Sequence, residues 1–215
     1  MKIIEPSLLA FEHNKIPEQL TEMKKCGFSF IHYDVMDGHF VANTAYRTEW
    51  LDTIHQKDLK TNVHLMVQDP DEWIDMFKPF PINSLIFHCE AVNTTKINEC
   101  LDKLHSIGIA GGIAIKPHTD ANTYKSIIER CQYVCVMGVE PGMGGQSFMP
   151  EAINNLIKVY NIKQKSNPKL IIQLDGGVDP KVISKTAQYV DHFVVGSYLM
   201  KQTDKKALLD FANKY

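Results

Sequence analysis

No segment of this sequence approaches the roughly 20 consecutive apolar residues that a bilayer span requires. The start, Met1-Lys2-Ile3-Ile4-Glu5-Pro6, carries too short an apolar run to read as a signal peptide. Charge of one sign is also missing. The 23 Lys and Arg residues nearly balance 25 Asp and Glu, leaving a net charge of −2 and no electrostatic footprint for nucleic acid or an anionic membrane surface. Cysteine is sparse and unpaired in pattern. Five residues, an odd number, occur with no Cys-x-x-Cys spacing, which speaks against a disulfide framework and for reduced, mostly buried thiols in a cytoplasmic protein. There is no Walker-type lysine and no Gly-x-Gly-x-x-Gly after the first apolar run, so a nucleotide is disfavoured. Linkers and low-complexity segments are absent as well.

What remains is a chain of 215 residues, 44% hydrophobic and 22% charged, the balance of an ordinary globular domain. Its pattern alternates. Apolar, strand-like runs are expected at 2–8, 30–40, 63–67, 84–88, 109–115, 133–139, 170–174 and 192–195. Helical stretches fall between them. One follows Asn14, a reasonable N-cap, and ends near Gly27; one covers 48–56 after a loop at 41–47; one opens at Asp69-Pro70. Others run from Asn93 to Gly108, from about Thr119, after Pro150, from Asp179-Pro180, and to the end of the chain. Strict strand–helix alternation implies parallel strands. Eight such units imply a closed (β/α)8 TIM barrel rather than an open sheet, in a single domain over residues 1–215.

Active sites of such barrels form at the C-terminal strand ends, and polar residues recur there: Ser7, His32 and Asp34, His64, His88 and Glu90, Asp175, Ser197. The densest stretch is Phe30-Ile31-His32-Tyr33-Asp34-Val35-Met36-Asp37-Gly38-His39-Phe40. His32 and Asp34 are two apart and share one face of a strand. An unpaired carboxylate on an otherwise apolar face is costly to bury, and a metal ion or a reacting substrate resolves the conflict. Closure of the barrel brings His32, Asp34, His64 and Asp175 within reach of one point, a donor set that suits a divalent cation. The other histidines, His13, His39, His55, His105, His118 and His192, lack such support and read as surface or packing residues. The glycines of Gly142-Met143-Gly144-Gly145, Gly176-Gly177 and Gly196-Ser197 follow the last three strands, where bare backbone N–H groups can cradle a phosphate. Met36, Met66 and Met137 also fall near strand ends, either as gap fillers or as a dry wall beside a planar intermediate.

These residues together resemble the ribulose-phosphate 3-epimerase family over almost the whole chain. Pro6-Ser7-Leu8-Leu9 is similar to its opening motif, and His32 through Val41 is nearly its signature. Val63-His64-Leu65-Met66-Val67, His88-Cys89-Glu90, Val139 through Phe148, Asp175-Gly176-Gly177-Val178 and Gly196-Ser197 follow in the family's order. The chain departs from the pattern at Val41-Ala42-Asn43-Thr44-Ala45-Tyr46-Arg47, where a proline and a glycine are lost. It departs also at Gly138, where Thr or Ser is usual, and at Met143, where Phe is common.

The resemblance implies one divalent metal ion (zinc, iron, manganese or cobalt) held by His32, Asp34, His64 and Asp175. It implies Asp34 and Asp175 as the catalytic acid/base pair. Substrate contacts would come from Ser7, His64, Met143 and the glycines Gly142, Gly144, Gly145, Gly176, Gly177 and Gly196 with Ser197. The implied activity is metal-dependent interconversion of D-ribulose 5-phosphate and D-xylulose 5-phosphate in the pentose phosphate pathway. The alternative is D-allulose-6-phosphate 3-epimerase, which differs in sugar length. Related decarboxylase and aldolase barrels need Asp-x-Lys-x-x-Asp, and Met36 stands in place of that lysine. A catalytically dead phosphosugar sensor would have lost one of the four ligands, and none is lost. The outer helical faces suit packing into a dimer or hexamer.

Overall fold

The computed structural model describes residues 2–215. Eight parallel strands close on themselves: β1 (Ile3–Pro6), β2 (Phe30–Asp37), then, past a two-residue strand β3 (Thr44–Ala45), β4 (Lys60–Met66), β5 (Ser84–His88), β6 (Ala110–Ile115), β7 (Tyr133–Met137), β8 (Ile171–Asp175) and β9 (His192–Val195). The hydrogen-bonded order runs β1-β9-β8-β7-β6-β5-β4-β2-β3. A parallel bridge between Ser7 and His32 joins β1 to β2 and closes the ring. The strand expected at each of the eight positions is present, two of them (β5 and β9) with the expected bounds.

Helices α1 (Ile16–Lys25), α2 (Glu49–Gln56), α3 (Pro70–Phe77), α4 (Thr94–Ser106), α5 (Lys125–Ile128), α6 (Ala152–Ser166), α7 (Pro180–Thr186), α8 (Ser197–Met200) and α9 (Lys206–Ala212) cover the outside. The caps explain several of their starts. Asp69, Asn93 and Asp179 each accept a hydrogen bond from a backbone N–H of the first turn, and Pro70 and Pro180 sit where the missing N–H costs nothing. Asn14 does not cap α1. It lies inside a 3₁₀ turn, His13–Lys15, and the residue before the helix, Lys15, makes no side-chain cap. Two further features depart from the expected alternation. The loop at 41–47 contains β3, antiparallel to Met36 and Asp37 of β2. A single helical turn, α8, follows Gly196 before the last helix.

The main core lies between the barrel wall and the helices, where Leu20, Leu51, Ile74, Phe77, Leu104, Leu156 and Ile183 pack on outward strand residues such as Ile31, Val63, Leu85 and Phe193. Alternate strand residues face inward. Along β5, β6 and β7 the interior is apolar: Ile86, Ala114, Tyr133, Cys135 and Met137 form one cluster. On the opposite side it is polar, with Glu5, His32, Asn62, His64 and Gln173 all fully buried. Four of the five cysteines are buried and Cys26 is half-buried.

Candidate active site

Register places the polar residues. On β2, His32 and Asp34 point inward, and Asp34 pairs across the ladder with His64 of β4. Asp175 ends β8, beside Met137 and Val194 of its neighbours. His32, Asp34, His64 and Asp175 offer ligand atoms that all lie within 4.8 Å of one another. His32 Nε2 is 3.1 Å from Asp34 Oδ1 and 3.4 Å from Asp175 Oδ2. His64 Nδ1 is 3.2 and 3.5 Å from the same two oxygens. Each imidazole thus turns one nitrogen into the gap between two carboxylates. The Ser7 hydroxyl donates to Asp34 Oδ2 at 3.0 Å, fixing the plane of that carboxylate.

Burial and charge oppose each other here. Burial alone would drive the carboxyls up and the imidazoles down. For Asp34 the adjacent His32 and His64 outweigh that cost and hold it well below the usual carboxylate range. Asp175 is lowered by the same two rings, with Asp34's own charge working against it. His32 is raised well above its ordinary value by Asp34 and Asp175, and His64 is raised by hydrogen bonds to both. Two partly buried anions therefore face two groups that hold positive charge between them. Two imidazoles and two carboxylates so converged also match the donor set of a divalent cation, which would replace those protons.

Behind this cluster lie buried polar groups. Glu5 Oε1 accepts from His192 Nδ1 at 2.5 Å and from Asn62 at 2.8 Å, and Oε2 accepts from Gln173 at 2.8 Å. His32 Nδ1 lies 3.7 Å from Glu5 Oε2. Burial raises the Glu5 carboxyl, but His192 and His32 bring it down to about 2. On the other flank His64 Nε2 meets His88 Nε2 at 3.1 Å, and His88 Nδ1 meets Glu90 Oε2 at 3.1 Å. Burial drives His88 down to about 4, while Glu90, pushed up by burial, is brought to about 2 by His88 and its other hydrogen bonds.

Above the cluster opens a cavity of about 980 Å³. Ser7, Asp34, Asp175, the glycine loops with Met143, and Gly196-Ser197 all line it, as do Met36, Met66 and Met137. His32 and His64 do not reach its wall and lie fully buried beneath. Gly177 shows why glycine stands there: its φ is +67°, and a Cβ would lie 2.3 Å from the Phe148 nitrogen. Three features of the site are not in the expected set. Among the described residues Lys201 is the one cation lining the cavity, which otherwise carries Asp34, Glu140, Asp175 and Asp179; it sits four residues past Ser197. Asn43 Nδ2 donates to Gly142 O at 2.7 Å, joining two loops at the mouth. Glu5 was concealed by its neighbours Ile3, Ile4 and Pro6, although a carboxylate within an apolar strand is itself a signal. Of the unsupported histidines, His192 is buried and is a hydrogen-bond partner of Glu5, a polar role beyond the expected packing one, and His13 hydrogen-bonds Arg47 at the surface.

Comparison with known proteins bears on this arrangement. A family model described as the ribulose-phosphate 3 epimerase family matches residues 3–200. Proteins named ribulose-phosphate 3-epimerase from Helicobacter pylori strain J99 and Aquifex aeolicus are each 32% identical over 96% of this chain, covering 94% and 93% of those proteins. Among solved structures, a tryptophan synthase from Mycobacterium tuberculosis superposes with a TM-score of 0.69 at 15% identity, over 99% of this chain and 91% of that one. A thiamine phosphate pyrophosphorylase from Pyrococcus furiosus gives 0.61 at 13% identity, over 99% and 94%. At such identities the two structures share the fold alone.

Proposed function

The chain belongs to the ribulose-phosphate 3-epimerase family, and from that premise we propose that it inverts C3 of a ketose phosphate, interconverting D-ribulose 5-phosphate and D-xylulose 5-phosphate as a step of the pentose phosphate pathway. The observation that carries this reading is the pairing of Asp34, on β2, with Asp175, on β8, at the floor of one cavity. Inversion next to a ketone removes a proton from one face and returns one to the other. Two carboxylates on different strands, with a planar enediolate between them, do this in both directions. Asp34 takes or gives the proton on its side, its second oxygen oriented by Ser7. Asp175 serves the opposite face. Met36, Met66 and Met137, each nearly fully buried, keep water from the intermediate. The backbone at 142–145, 176–177 and 196–197 anchors the phosphate and so positions C3.

The donors His32 Nε2, Asp34 Oδ1, His64 Nδ1 and Asp175 Oδ2 fit a divalent ion, and zinc, iron, manganese and cobalt all suit such a set. Bound there, the ion would supply several kcal/mol of stabilisation to the negative charge that develops on the substrate oxygens.

The test is incubation of metal-loaded and chelator-treated protein with D-ribulose 5-phosphate in D₂O. The expected result is D-xylulose 5-phosphate carrying deuterium at C3, lost on chelation and restored by a divalent ion. Deuterium entry without product would mean that one face alone is served, against the Asp34/Asp175 pair. No exchange with the pentulose, but exchange with D-allulose 6-phosphate, would move the assignment to the six-carbon sugar.

A further inference from the structure

Two histidines turn a nitrogen toward the carboxylate pair, and the opposite nitrogen of each must be satisfied inside a dry barrel. For His64 the partner is another imidazole. His64 Nε2 and His88 Nε2 are 3.1 Å apart, and both rings are fully buried. A contact between two ring nitrogens needs one hydrogen and one lone pair. Which ring donates is decided one residue further out. His88 Nδ1 lies 3.1 Å from Glu90 Oε2. The other Glu90 oxygen, Oε1, accepts the backbone N–H of Lys116 at 2.8 Å. An ionised carboxylate only accepts, so the hydrogen between Glu90 and His88 sits on His88 Nδ1. A neutral His88 then presents a lone pair at Nε2, and His64 must donate its Nε2–H to it. Without a cation Nδ1 carries a hydrogen toward Asp34 and Asp175; when that hydrogen leaves, Nε2–H stays and the exposed lone pair is at Nδ1.

We infer that Glu90 and His88 are positioning residues that fix the tautomer of His64, so that its Nδ1 is held ready for a divalent cation between Asp34 and Asp175. The inference rests on the epimerase reading for its purpose, but its geometry stands without substrate. Whether a proton or a cation occupies the Nδ1 side, the Nε2 side remains a donor to His88. The surrounding rings hold the plane of the relay: His64 and His88 lie 5.1 Å apart at 37°, Phe40 covers His88 at 4.8 Å, and the Lys116 ammonium sits 4.3 Å over Phe40. Glu90, just beyond β5, is itself pinned by the backbone N–H of the first residue after β6, so the relay's far end is held at the ends of two neighbouring strands. Partners behind a ligating histidine commonly set metal affinity by 10- to 100-fold.

The experiment uses the full chain labelled with ¹⁵N-histidine, with long-range ¹H–¹⁵N spectra reporting each ring's tautomer and zinc affinity read by competition with a chromophoric chelator. His64 is assigned by loss of its signals in His64→Gln. In the unaltered protein His64 is expected to carry hydrogen at Nε2; a neutral Nδ1–H tautomer would overturn the inference with no variant needed. In His88→Phe, His64 should lose its single tautomer and zinc affinity should fall 10- to 100-fold. His88→Gln, whose amide oxygen can accept from His64 Nε2, should recover most of that loss, which a purely packing role for His88 does not predict. Glu90→Gln keeps an acceptor for His88 and should have the smaller effect. Zinc affinity and His64 nitrogen shifts unchanged in a folded His88→Phe would refute the relay. If the unaltered protein binds no zinc, the metal reading fails, and the nitrogen shifts, read at a pH high enough for His64 to be neutral, still decide the tautomer. If it binds zinc with the expected shifts but does not epimerise the pentulose, the relay stands and the substrate assignment fails.

Discussion

Single atoms decide the chemistry proposed for this barrel. Asp34 and Asp175 are the groups proposed to exchange a proton with C3, so Asp34→Asn and Asp175→Asn should each lower kcat by about 10³-fold, with far-ultraviolet circular dichroism unchanged. Near-normal turnover in either folded variant would reject the two-base assignment. Glu5 makes a different, energetic prediction. Its carboxyl is held at about 2, below the 4.5 of a free side chain, because His192 and His32 outweigh the cost of burial. A depressed carboxyl contributes stability that is complete above the unfolded value and is lost as pH falls from about 4.5 toward 2. The shift corresponds to roughly 3 kcal/mol. Urea unfolding at pH 6 and pH 3 should therefore show a smaller loss of stability for Glu5→Gln than for the unaltered chain. Asp34, Asp175 and Glu90 are also depressed, so part of the loss remains. Equal losses in the two proteins would mean that Glu5 is not held ionised by its neighbours.

At the scale of elements, the proposed phosphate anchor rests on the loops between them. The strand run ends at Met137, and the next residue is Gly138. The close approach of two loops accounts for it. A Cβ at Gly138 would lie 2.4 Å from Gly176 O and 2.8 Å from the Phe148 ring, and Gly138 N donates to Asp175 O at 2.6 Å. Gly138→Thr should then push the 176–177 loop outward, raising KM for the phosphosugar about tenfold or more, since displacements near 1 Å at an anchor cost up to 10²-fold. An unchanged KM would show that the loop has room to yield. The contrast between what is and is not legible in the sequence has the same origin. Strands β5 and β9 are plain because their apolar runs are bounded by turn and helix signals, and His32, Asp34, His64 and Asp175 stand out because strand-end polar residues of metal-ligating type converge from three strands once the barrel closes. Asn14 misleads, because a good cap residue is only a local preference and a 3₁₀ turn there defers the helix by one residue. The pairing of β3 with β2, the Asn43 bridge to Gly142 and the reach of Lys201 into the cavity depend on contacts between distant segments, which no local pattern announces.

At the scale of the whole barrel the four-residue cluster is also a knot. It ties β2 and β4, which are neighbours, to β8, which lies across the interior, and the polar half of the barrel is built around it. Without a cation, two partly buried carboxylates must share protons with two imidazoles; with one, three strands meet at a single centre. Ligand that binds only the folded chain stabilises it by mass action, about 2.7 kcal/mol at one hundred times its dissociation constant. For a domain of this size each kcal/mol moves the melting temperature by roughly 2–4 °C. Removing the divalent ion with a chelator should therefore lower Tm by roughly 5–10 °C, and adding zinc back should restore it. The same titration on His64→Gln, which loses one of the four donors, should move Tm far less. A melting temperature indifferent to chelator and to zinc in the unaltered protein would mean that protons, not a cation, close the knot, and the histidines would then be structural groups of the barrel interior.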